Sequence, residues 1–182
     1  MRASQVIKRL RVLLARHETE RRRFDLNATV EATAALLHAE AQRRAVTVET
    51  VLDAQRAEVI GDPVQLQQVI INLMLNAFDA SAGVPADRRR VVVETRDTAH
   101  GVQLGVRDLG SGIAADDLPR VFDSFFSTKH SGMGLGLAIV RSIVEAHGGT
   151  ICADRCEPGA QFRVVLPRAA AADRHEPPAT TP

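Results

Sequence analysis

Residues 72–80 read Asn72-Leu73-Met74-Leu75-Asn76-Ala77-Phe78-Asp79-Ala80. Asn72 and Asn76 are four apart, so on a helix both side chains share one face. The residues around them, Ile70, Ile71, Leu73, Met74 and Leu75, belong in a core. An amide on a core helix is costly unless it is satisfied. Two readings stay open at this point. The amides bond neighbouring backbone, or their carbonyl oxygens grip a hydrated magnesium ion.

Upstream, Asp62-Pro63 starts this helix, with Asp as the cap and Pro at the first helical position. The preceding segments are a helix over about 28–44, capped by Asp25 or Asn27, a strand around Val46–Val51 and a short strand at 57–60. Downstream, 91–95 and 102–107 form a hairpin, and a helix runs from about Leu135 to Ala146, stopped by His147-Gly148-Gly149. Two last strands lie near 150–154 and 161–166. Hairpins mixed with helices predict a mixed sheet with helices on one face, a two-layer α/β sandwich. Residues 4–16 carry Val6, Ile7, Leu10, Leu13 and Leu14 at helical spacing, which predicts an amphipathic helix before the domain. Arg21-Arg22-Arg23 reads as a solvated connector.

Two glycine segments precede the last helix. Asp108-Leu109-Gly110-Ser111-Gly112-Ile113 follows a strand, where an Asp can accept a hydrogen bond from an exocyclic amine and glycine lets another group approach the backbone. Alone this pattern is weak, because turns favour Asp and Gly. Gly132-Met133-Gly134-Leu135-Gly136-Leu137 runs into a helix N-terminus, which presents backbone N–H groups to phosphate; the bland alternative is a flexible hinge. It matches neither the dinucleotide fingerprint nor the P-loop.

Composition narrows the choice. The chain has 182 residues, 45% hydrophobic and 25% charged, with 23 Lys+Arg against 22 Asp+Glu. That balance gives no support for nucleic-acid binding. Six Phe and no Trp or Tyr leave no stacking platform for single strands. Cys152 and Cys156 make neither a disulfide scaffold nor a zinc site. No apolar run is long enough for a membrane helix, and the Arg-interrupted N-terminus is not a signal peptide, so a cytoplasmic location is expected.

Taken in order, the segments resemble the catalytic, ATP-binding domain of sensor histidine kinases, in the gyrase/chaperone/histidine-kinase/MutL superfamily. Residues 66–80 resemble its N box, 108–112 its first glycine box, Val121–Lys129 its F box and 132–136 its second glycine box. His147-Gly148-Gly149-Thr150 and Gly159–Pro167 match its ending. The resemblance implies a Bergerat-type fold and the cofactors ATP and Mg2+. It implies that Asp108 holds the adenine amine, that Gly110 and Gly112 make room for the base, and that Asn76 ligates magnesium with Asn72 beside it. Gly132, Gly134 and Gly136 would cap the phosphates, and residues 113–131 would form a lid pinned by the F-box phenylalanines. Ile113, Phe122, Thr128, Met133, Leu135, Leu137 and Asp79 complete the implied nucleotide-binding set, and Lys129 would reach a terminal phosphate. Hydrolysing members of the superfamily carry Glu where this chain has Asn72, which cannot take a proton. That favours phosphoryl transfer to a neutral imidazole over hydrolysis.

The implied partners are a histidine-bearing dimerisation hairpin and a response regulator. Residues 1–25 resemble the second hairpin helix and its connector, 26–167 the catalytic domain, and 168–182 an Ala/Pro-rich tail expected to be disordered. His17, His38 and His130 lack the acceptor context, so the phosphorylated histidine is expected outside this chain, with transfer in trans and only weak self-association. An ATP-binding regulatory module without transfer activity, and an anti-sigma-type serine kinase, are the alternatives.

Overall fold

The computed structural model describes residues 20–128 and 134–169. The expected amphipathic helix at 4–16 and the segment from 170 onward lie outside the described residues.

Strand β1 (Arg22–Asp25) opens the described chain and pairs antiparallel with β3 (Glu58–Gly61). The connector reading of the arginine run is therefore corrected. One apolar residue, Phe24, among charges gives no strand signal, and the partner strand is remote in sequence. Arg23 bonds Glu58 at 3.1 Å across the pair.

Helix α1 (Leu26–Arg43) starts at Asp25, whose carboxylate accepts from the Asn27 and Ala28 amides at 2.7 and 3.4 Å. Of the two candidate caps, Asp25 is the one used. Asn27 instead ties the helix to the sheet, donating to the Ala54 carbonyl and accepting from the Thr95 hydroxyl at 2.6 Å.

Strands β2 (Thr47–Leu52), β4 (Arg90–Thr98), β5 (Gly101–Asp108), β6 (Thr150–Arg155) and β7 (Ala160–Leu166) form one sheet in the order β2-β4-β5-β7-β6. The β2–β4 pair is parallel and the others antiparallel, so the sheet is mixed, as the sequence predicts. Its inner face presents Val91, Val93, Val102, Leu104, Val106, Phe162, Val164 and Leu166, all buried.

Helices α1, α2 (Pro63–Ala80) and α3 (Gly136–Ala146) cover that one face. Helix α2 buries Leu66, Val69, Ile70, Leu73, Met74, Ala77 and Phe78. Each large side chain among them stabilises the fold by about 1.5–3 kcal/mol relative to exposure. Asp62 caps the helix through the Val64 and Gln65 amides, and Pro63 follows, as read from the sequence.

The chain continues in order two residues past the expected boundary. Arg168 bridges to Val59 and bonds Asp97, and the Ala169 amide donates to the Glu58 carbonyl at 2.9 Å. These contacts join the end of β7 to the small β1–β3 sheet.

Candidate functional site

The apolar stripe of α2 fixes the site. With residues 69, 70, 73, 74 and 77 turned into the core, Asn72 and Asn76 come to the rim, half-buried. Neither side-chain amide hydrogen-bonds a described residue. The backbone-satisfied reading of these amides is thus not what the structure adopts.

Helix α3 begins beside them. A Cβ added at Gly136 would lie 4.0 Å from Asn72 Oδ1, in ordinary contact. Among the described residues no side chain caps the α3 N-terminus, so its first N–H groups have no side-chain partner there. Leu137 packs against the core, and Leu135 precedes the first turn half-buried. Gly134, at φ +65°, accepts from the Phe125 amide at 2.9 Å. A Cβ there would meet Phe125 and Phe126 backbone at 2.5 Å, so the segment before α3 and the F-box segment interlock only through glycine.

At the other end, Asp108 closes β5, 2% exposed and paired on both sides, to Val91 and Ala160. Its Oδ1 accepts from the Gly110 amide at 2.8 Å, which turns the chain out of the sheet. The turn then settles on the end of α2: a Cβ at Gly110 would lie 2.5 Å from the Ala80 carbonyl oxygen. Gly112 follows, and Ile113 packs on the core. Gly110–Ile113 also wall a hollow of about 390 Å³ whose other side is Arg155–Gly159 in the β6–β7 turn.

Phe122 packs edge-on against Phe162 of β7, with ring centroids 6.2 Å apart, and Val121 beside it is buried. Arg120 lies over the Phe126 ring at 4.7 Å. Thr128 is exposed, and Phe125 is 78% exposed. Lys129, Gly132 and Met133 lie outside the described residues.

Asp79 is placed differently from its neighbours. It forms an ion pair with Arg44 at the end of α1, beside a hollow of about 280 Å³ lined also by Arg43, Phe78, Ala82 and Arg89. Burial opposes the Arg44 charge, but the bonds to Asp79 and Glu40 outweigh it and raise its pKa. The Arg43 bond holds the Glu40 carboxyl below its ordinary value despite burial, with Arg44 adding to the effect.

Sequence reasoning missed Arg44 and Phe162, because both act through partners distant in the chain. It read His147 as part of a helix stop and of the family's ending, with no role for its ring. Its ring is buried and accepts from the Asp62 amide, a contact no local pattern signals. Among the described residues no group of three or more His, Cys, Asp or Glu could hold a metal ion. Among them, too, no helix is long and apolar enough to cross a membrane.

A two-layer domain with paired amides, an uncapped helix and a buried Asp around one rim defines a class. The chain belongs to the family of histidine kinase-, DNA gyrase B- and HSP90-like ATPases, whose model matches residues 61–170. It is 43% identical over 171 residues to the sensor protein FixL of Bradyrhizobium diazoefficiens, covering 93% of this chain and 34% of that protein. The chain thus spans about a third of the curated relative's length. It superposes on full-length ShkA in complex with AMPPNP at a TM-score of 0.74, 26% identical, over 91% of this chain and 35% of that one. It superposes equally, TM-score 0.74 and 25% identical, on the histidine kinase ThkA in complex with the response regulator TrrA, over 92% of this chain and 48% of that one.

Proposed function

We propose that this chain is the ATP-binding catalytic domain of a two-component sensor histidine kinase, passing the γ-phosphoryl of ATP to a histidine on a dimerisation hairpin. The observation that carries the reading is the pair of half-buried amides of Asn72 and Asn76, which hydrogen-bond no described residue, with Asn72 beside the start of α3.

The residues divide the work. Asp108 accepts from the adenine amine, and Gly110 and Gly112 leave space for the base. The α3 N-terminus and its glycines donate to the phosphates. Carbonyl oxygens at Asn76, with Asn72 adjacent, suit Mg2+, a hard cation that favours oxygen ligands and substrate phosphates. When bound, the ion neutralises phosphate charge. Lys129 adds a point charge at the terminal phosphate. Asn72 cannot accept a proton from water, so the site favours an acceptor that needs little activation, a neutral imidazole.

The ShkA nucleotide complex and the ThkA–TrrA complex support ATP as donor and a response regulator as the later acceptor. The acceptor histidine is placed on a partner hairpin, with transfer in trans. Among the described residues, His147 is buried with both ring nitrogens bonded, and His38 and His100 are exposed and lack the acceptor context in sequence.

The test is incubation with labelled ATP and Mg2+ alongside a supplied acceptor hairpin. Label that survives alkali and is lost in acid supports phosphohistidine. Acid-stable label, or none with a competent hairpin, refutes the reading.

A further inference from the structure

Helix α3 lies along the first half of α2 and meets it near both of its own ends. At one end the Asp62 amide, at the cap of α2, donates to His147 Nε2 at 3.0 Å, at the end of α3. At the other, Gly136, the first residue of α3, sits against Asn72 of α2. The helices are therefore antiparallel. At about 1.5 Å per residue, the two junctions stand on the order of 15 Å apart.

The His147 end is built for one arrangement. Nδ1 lies 2.7 Å from the Ile143 carbonyl and so carries the proton, which leaves Nε2 to accept from Asp62. The neutral ring thus closes both helix ends at once: it takes a backbone carbonyl near the end of α3 and a backbone amide at the start of α2. The ring is 6% exposed. It fits because residue 61 is glycine: a Cβ there would come within 2.4 Å of His147 Cδ2. Two residue choices, Gly61 and His147, converge on this one contact, to which Asp62 brings its backbone amide.

We propose that His147 is a positioning residue for the phosphate half of the nucleotide site. By pinning the far ends of α2 and α3, it sets the register that brings the α3 N-terminus to Asn72 and Asn76. The inference rests on the nucleotide reading above. The adenine half rests on Asp108 in the sheet and on the far end of α2, through the Gly110–Ser111 turn on Ala80, away from the α3 clamp. Loosening the clamp should therefore act on phosphate recognition and spare the base. A merely structural histidine would weaken both halves together.

The experiment compares affinities for Mg·ATP and for AMP, by calorimetry, in wild type, His147→Phe, His147→Gln and Gly61→Ala. Phe keeps the ring volume without an acceptor; Gln returns an acceptor to the Nε2 position; Ala at 61 displaces the ring. The expected result is a fall in the ATP-to-AMP affinity ratio of about tenfold or more in His147→Phe, with AMP affinity held within about twofold, the loss expected when one hydrogen bond to a charged phosphate is no longer made. His147→Gln recovers most of the ratio, and Gly61→Ala lowers it. In nucleotide-free protein, hydrogen exchange at the Ile139 and Val140 amides speeds up in His147→Phe. Should His147→Phe fail to fold, Gly61→Ala and His147→Gln decide by the same ratio. An unchanged ratio in the folded variants, or an equal loss for both nucleotides, overturns the proposal. Wild type that binds neither nucleotide refutes the nucleotide reading itself. Faster exchange in His147→Phe would then describe a clamp with no phosphate site to serve, and the positioning role would fall with it.

Discussion

The Ser111 amide donates to the Ala80 carbonyl at 3.2 Å, so the first glycine segment is fastened to the last turn of α2. That bond forms because Gly110 has no side chain; a Cβ would press 2.5 Å from the same carbonyl oxygen. The adenine end and the magnesium end of the proposed site thus share one helix. Gly110→Ala should force the turn off α2, lowering stability by about 1–3 kcal/mol and weakening ATP binding. Thermal unfolding and calorimetry of the same sample check both effects.

Asp108→Asn separates structure from recognition. Asn keeps an acceptor for the Gly110 amide at Asp108's position, so the melting temperature should stay close to wild type. The charge that would hold the adenine amine is lost. ATP affinity is expected to drop by about tenfold or more, as for a charge-assisted bond of about 1.5–3 kcal/mol. Unchanged affinity would remove Asp108 from the site.

Asn76→Ala should behave opposite to a core lesion. Its amide hydrogen-bonds no described residue, and Ala is the better helix former by up to about 0.7 kcal/mol. Nucleotide-free protein should melt at the same temperature or higher. The gain in ATP affinity on adding Mg2+ should disappear. Titrations with and without Mg2+ measure this directly.

Phe162→Ala should release the F-box segment from β7. The edge-on pair with Phe122 is lost together with a buried ring, a cost of about 3–5 kcal/mol for such truncations. Proteolysis should then cut between residues 113 and 128 faster than in wild type, which gel analysis of timed digests would show.

Glu40 contributes a pH dependence to stability. Its folded carboxyl is held below the ordinary value by Arg43 and Arg44, so its pairing stabilises the fold above the unfolded carboxylate pKa. That contribution is lost as pH falls through the ordinary range and on through the lowered folded value. Glu40→Gln should melt earlier than wild type at neutral pH, with the gap closing at acid pH. A gap that persists at low pH would assign the effect to packing instead.

Local chemistry made much of this protein legible in its sequence. Asp62-Pro63 starts a helix wherever it falls, because it satisfies orphan amides and presets φ. The alternation in β4 and β7 follows from one buried face, and the ordered boxes from Asn72 to Gly136 placed the family. What stayed illegible needed partners distant in the chain. Arg22–Asp25 is a strand only because Glu58–Gly61 lies alongside it. Arg168 and Ala169 are ordered because β3 receives them. Asp79 sits in the N-box segment, yet it is turned to Arg44 of another helix. His147 reads as a helix stop until Asp62 arrives at its ring. The sequence by itself determined most of the elements, the Asp62 cap and the family, since those depend on neighbours a few residues away. Only the tertiary structure decided which polar groups are satisfied, because a hydrogen bond across 85 residues exists only once the core has brought its ends together.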